Sequence, residues 1–259
     1  MILGREKTLF RFRSIFIACF LMVFAYPAFA GDEKDPNPFN LPDRVMALPP
    51  ELRAGQIFQG FPSLRPQVNW YPIAPGLVGN WRSKSMRVLR QDDFETGSYY
   101  TMEAVEADVL EVHLGDLLDS ASSVWHALIS PEIHDYQKGD LVDSRDTIMI
   151  KMLGQSPEHL MVQSRIFHVI YNPQNNQIVT SYTEESVRQY DVAGNGRMIG
   201  HEYIRLYDAE GYVKMSAQTL RVYSKVGKFI QVNERAGLHL PSSLASHLQS
   251  IGRHELINW

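Results

Sequence analysis

Between Asn80 and Glu234 apolar positions recur mostly at every second residue, and turn residues interrupt them at short intervals. That period is the mark of strands whose side chains alternate between two faces. Trp81–Leu89 and Ser98–Ala107 read as two strands around the turn-rich segment Gln91–Gly97, and Thr147–Leu153 and His159–Tyr171 follow. Within His159–Tyr171, Leu160, Val162, Ile166 and Ile170 share one face, and Met161, Phe167, Val169 and Tyr171 share the other. Asn172-Pro173-Gln174-Asn175-Asn176 is turn chemistry. After it, Gln177–Thr183, Gly200–Tyr207, Tyr212–Ser224 and Lys228–Glu234 read as strands, separated by turns at Gly194-Asn195-Gly196, Asp208–Gly211 and Gly227. Glu184–Tyr190 is compatible with a helical turn.

Two segments carry a helical period instead. In Asp116–Ile129, Leu117, Ala121, Val124, Trp125 and Leu128 recur at intervals of three and four, and Pro131 ends the run. Near the C-terminus, Leu240, Leu244, Leu248 and Ile251 form one stripe that Ser242 or Ser243 can cap. The fold class is therefore mainly β: an antiparallel up-and-down meander with one inserted helix and one C-terminal helix. Turns this short suit antiparallel pairing, because parallel neighbours need long crossovers.

The N-terminal part differs. A basic stretch from Arg5 to Arg13 precedes the uncharged apolar run Ile15–Tyr26, and Ala28-Phe29-Ala30 places small residues where a signal peptidase reads. This order predicts a secretory signal over residues 1–30 and a periplasmic or secreted protein. The run is shorter than the roughly 20 residues of a membrane span, and an uncleaved anchor is the alternative. Cys19, the only cysteine, lies inside it, so a processed chain would hold neither a disulfide nor a thiolate ligand.

Residues 31–75 carry nine of the fourteen prolines together with Phe39, Leu41, Leu48, Phe58, Trp70 and Tyr71. Such a stretch is extended and irregular, with Pro49-Pro50-Glu51-Leu52-Arg53 opening one short helix. It is also too apolar for a solvated linker. It reads as a proline-rich arm, lying along its own domain or docking on a partner, ahead of a β domain spanning 76–259. The whole chain has 25 basic and 29 acidic residues, a net charge of −4. Without residues 1–30 the counts are 21 and 28, a net charge of −7, which excludes nucleic acid as a partner.

Gly76-Leu77-Val78-Gly79-Asn80-Trp81-Arg82-Ser83 resembles the Gly-x-Trp start of the first strand in the lipocalin-like superfamily, and the order of elements over 76–252 is similar to that layout. The resemblance implies a barrel with Trp81 plugging one end and a basic residue of a late strand, Arg221 or Lys225, packed over its ring. On the residues alone, a half-open sheet wrapped around a helix stays open beside the closed barrel.

Chemistry-bearing patterns are sparse. Asp191, Asn195 and Glu202 occupy ligand positions of a calcium-loop pattern, with Gly196 and Met198 at the spacer positions, but Ala193 stands where a third oxygen is needed. A hairpin turn rich in Asn and Gly explains the same letters. No cofactor motif, nucleophile elbow or His-Glu-x-x-His is present. His126 and His134, with Glu132 and Asp135, are what remains for an enzyme. The faces of Tyr212–Val222 mix polar and apolar residues, as in a barrel holding a ligand or water. With the interior that the resemblance implies, Trp81, Arg221, Tyr223 and His168 are the candidate ligand-binding residues. The expected function is binding or carrying a small amphipathic molecule without catalysis. The alternative is an envelope protein acting through contacts of its arm.

Overall fold

A computed structural model describes residues 39–101 and 104–257; the expected signal segment lies outside the described residues. The chain is mainly β, an antiparallel sheet curled into a half-barrel, with one α-helix among the described residues. The order of the large sheet is β3 (Ser98–Tyr100), β2 (Gly79–Asp93), β12 (Val213–Gly227), β11 (Arg197–Tyr207), β10 (Ile178–Gly194), β9 (His159–Tyr171), β8 (Leu141–Ser156) and β7 (Ile133–Lys138). β4 (Ala104–Leu114) continues the hairpin of β3 along the same edge of β2. From β7 to β12 each strand pairs with the next in sequence, as the turn chemistry dictates.

A closed barrel is not formed among the described residues. β7 and the edge formed by β3 and β4 lie at opposite ends of the sheet and do not pair with each other. The sheet nevertheless curls toward one face. There Trp81 of β2, Leu110 of β4, Met152 of β8, Leu160 of β9 and Tyr190 of β10 fall in one apolar cluster.

The inserted helix over 116–129 is corrected to β structure. Asp116 is followed by β5 (Leu117–Leu118), a turn, and β6 (Val124–Ser130). The turn is held by one carboxylate oxygen of Asp119, which accepts from the backbone N–H groups of Ala121 and Ser123 at 2.9 Å each. The other oxygen accepts from Trp125 Nε1 at 3.0 Å. Val124–Ile129 is apolar almost without a break because both faces of β6 are covered, and such a run carries no decisive period of its own. Residues Gln67–Pro72, expected to be irregular, form β1, which pairs with β6 at the edge of a three-stranded sheet. A proline at the end of an edge strand breaks no ladder. The strand expected at Lys228–Glu234 is also absent: only β13 (Glu234–Arg235) pairs, with β14 (Leu238–His239). Ser98–Ala107 is divided between β3 and β4, and Glu184–Tyr190 belongs wholly to β10.

The helix, α1 (Leu240–Ser250), is capped by the His239 side chain, which accepts from Ser242 N–H, and not by serine. Leu240, Leu244 and Leu248 bury against Trp70, Trp125 and Ile129 of the small sheet, while Ile251 is exposed and lies past the helix end. The proline-rich segment packs on its own sheet from Phe39 onward. Leu41 packs with Val187 and Tyr203, and Leu48 and Leu52, the latter in the short 3-10 turn Pro50–Leu52, with Phe167, Val169 and Ile178. These partners lie on the outer, convex face. Hydrogen bonds fasten it: Arg205 Nη1 donates to Leu41 O at 2.8 Å, and Tyr207 Oη to Pro42 O at 2.8 Å.

Candidate functional site

With the arm on the convex face of β9 and β10, the concave face of these strands is the one left for a ligand. Its character follows from register. Val162 of β9 lies opposite Arg188 of β10, which lies opposite Glu202 of β11, which lies opposite Thr219 of β12. Period two then puts His168, Tyr182, Glu184, Tyr190 and Arg221 on the same side.

One end of this face is closed by packing. Trp81 is buried, donates its indole N–H to Leu77 O at 2.7 Å, and lies under Lys225, whose Nζ is 5.3 Å from the ring centroid. Tyr223 and Tyr190 meet edge-to-face with centroids 5.9 Å apart. Gly200 makes room for this: a Cβ there would come 2.7 Å from the Tyr223 ring. A recess of about 490 Å³ opens beside the plug, lined by Ile73, Val78, Ser123, Val124 and Gln155 among others. A second, of about 10 Å³, lies between Arg188, Tyr190, Glu202, Arg221 and Tyr223 and has room for one water.

Beyond the plug runs a belt of paired charges. Arg221 binds Asp108 of β4, and Arg188 binds Glu202 while lying 3.7 Å from Glu184. His168 lies between two carboxylates, Nδ1 3.2 Å from Asp143 and Nε2 3.4 Å from Glu184, and stacks on Tyr182 at 4.4 Å. Arg145 caps the belt on Asp143 at 2.8 Å, with Tyr136 under its guanidinium. Burial alone would lower the imidazole pKa of His168, but bonding to Asp143 and Glu184 outweighs it and raises it. Burial works the other way on Glu184, yet His168 and the two arginines bring its carboxyl down to about 2. The belt thus consists of opposite charges matched side by side, with Val162, Ile166, Ile204 and Leu206 left partly exposed between them.

The four residues expected to bind ligand do share this face. Trp81 and Tyr223 are buried in the plug, and His168 and Arg221 are buried in the belt with partners already engaged. Lys225, not Arg221, packs over Trp81. The surface a ligand could touch is instead Val162, Ile166, Tyr182, Glu184, Arg188 and Ile204, which sequence reading missed. Reading Glu184–Tyr190 as strand would have found half of them, since Tyr182, Glu184, Ser186, Arg188 and Tyr190 alternate.

The calcium-loop residues are not brought together. Asp191 and Glu202 lie on opposite faces of the β10–β11 hairpin; Asp191 is held by His159 at 2.8 Å and Glu202 by Arg188. Asn195 sits at the turn with φ 50°. Among the described residues, no group of three or more His, Cys, Asp or Glu side chains could hold a metal. The cluster near His126 is structural in form. The buried Asp116 carboxylate takes His126 Nδ1 at 2.6 Å, the Ala127 N–H at 2.8 Å and Arg235 at 3.2 Å, tying β6 to the segment before α1. His134 lies 3.7 Å from Glu132, which Arg235 joins to the same network at 3.4 Å.

Among the described residues no helix is long and apolar enough to cross a membrane. No protein-family model matches the chain, and no curated protein or solved structure does.

Proposed function

We propose that this is an exported, non-catalytic protein that holds a small amphipathic molecule on the concave face of its half-barrel, in the manner of a lipocalin-like carrier. One observation carries the reading. Over β9, β10 and part of β11 the convex face is sealed by the chain's own arm, whereas the concave face of the same strands keeps aliphatic side chains partly exposed between matched charges. A sheet surface that only had to be buried would be apolar, and one that only had to be wet would not carry Val162, Ile166 and Ile204. The recess beside Trp81 has the volume of a small-molecule site, about 300–1,000 Å³. Because the arginines of the belt are already matched, the ligand best accommodated is neutral or zwitterionic in its head group, with an apolar body.

The alternative, an arm that docks on an envelope partner, requires Leu41, Leu48 and Leu52 to leave a surface they already fill. Native mass spectrometry of protein purified from the exported fraction tests the proposal. A discrete adduct lost on denaturation, and displaced by a fluorescent single-chain lipid probe with a zwitterionic phosphocholine head group, is the expected result. A bare protein that fails to bind the probe overturns it.

A further inference from the structure

The arm covers the convex face over β9, β10 and part of β11, and stops there. The rest of that face, on β11, β12, β2 and β4, is bare and has a composition the net charge conceals. Exposed aliphatics stand on it: Val222 at 49 %, Val226 at 50 %, Val109 at 44 % and Val105 at 63 %. Between them lie Arg197 opposite Ser224, Arg82 opposite the same serine, and Arg87 opposite Leu220. Lys84 lies at the β2–β4 bulge between Ser83 and Ser85. Lys84, Arg87 and Arg197 are exposed and have no carboxylate partner among the described residues. Among the described side chains, the two carboxylates that border them are engaged, Glu111 with Arg82 and Asp191 with His159 and Gln189. In a chain with an overall excess of acid, an exposed face combining unpaired cations with valines is the exception that asks for a partner.

We propose that this face docks on the surface of an anionic phospholipid membrane. The chemistry matches on both counts. Lys and Arg draw the face toward anionic head groups within about a Debye length, and short aliphatic side chains insert shallowly between them. The inference is independent of whether the concave face carries a ligand, since the two faces point in opposite directions.

Co-sedimentation of the whole protein with vesicles tests it, comparing phosphatidylcholine alone with phosphatidylcholine containing phosphatidylglycerol. Binding to the anionic vesicles only, weakening as salt rises, is expected. Replacing Lys84, Arg87 and Arg197 together by Gln should reduce it on the order of a hundredfold, about fivefold per cation. Arg87→Lys with Arg197→Lys should retain it, and far-UV circular dichroism of each variant confirms that it folds. Equal binding to both kinds of vesicle, or undiminished binding by the triple Gln variant, overturns the proposal. So does a concentration-dependent dimer without lipid that the triple variant abolishes, because the face would then be an interface between copies of the chain.

Discussion

Asp146 offers the sharpest test of the energetics. It stands on β8 opposite Phe167 of β9 and Ile133 of β7, on the face the arm covers, and is only 3 % exposed. Its Oδ1 has no hydrogen-bond partner among the described residues. Burial without a compensating charge pushes its carboxyl up to about 6 from an ordinary 3.8. In the unfolded chain the group ionises near its ordinary value, so between the two values the folded state binds more protons. Stability is therefore highest below pH 4, falls as pH rises through 6, and stays reduced above it. A difference of about two units, at about 1.4 kcal/mol each, amounts to ~3 kcal/mol. Asp146→Asn removes the titration while keeping the shape. Urea unfolding at pH 8 should show the variant more stable by up to ~3 kcal/mol, and the gain should shrink toward zero near pH 4. A gain that is the same at both pH values would refute desolvation as the cause.

Three further outcomes follow from the same geometry. His168, whose raised pKa rests on Asp143 and Glu184, contributes stability that is complete below its unfolded value near 6.5 and fades as pH climbs through the folded one; His168→Gln should flatten the unfolding free energy above pH 6 while leaving the Asp146 transition below it. Gly211 has φ 86°, and a Cβ there would come 2.2 Å from Val45 O, so Gly211→Ala should cost about 1–3 kcal/mol and speed proteolysis within the arm; an arm as resistant as before would show that this contact does not hold it. Leu48→Ala empties a side chain that is 1 % exposed against Phe167 and Val169 and should cost about 2–5 kcal/mol by thermal unfolding.

What could be read in advance, and what could not, divides along the range of the interactions. The turns at Asn172–Asn176, Gly194–Gly196 and Asp208–Gly211 were legible because their chemistry is local: Asn172 Oδ1 accepts from Gln174 N–H, and Asp208 Oδ1 from Glu210 and Tyr212 N–H. Helix α1 was legible for the same reason, through its leucine stripe. β6 was not, because its run of apolar residues pairs along most of its length with β1, more than fifty residues earlier, and only at its start with the two-residue β5. The concave belt was hidden for a related reason. His168 was named from the sequence, but nothing in Glu184 or Asp143 marked them as its partners until register sets the three side by side. Openness of the barrel is likewise a property of which edges fail to meet, and no residue carries it.

The pairing of β2 with β12 has a consequence for how the chain folds. β8 to β11 are linked by tight hairpins, so each ladder closes a small loop as soon as its turn forms. Met215 pairs with Asp93 and Gly227 with Asn80, across more than a hundred intervening residues. The entropy of closing that loop is recovered only when the ladder is largely made. The meander should therefore assemble first, with β2 and the β3 and β4 segments along its edge joining last as one flap. In kinetic terms the molecule is a fast local nucleus with a slow lateral seam. Trp81, lodged at that seam, makes its fluorescence the natural reporter of the final step.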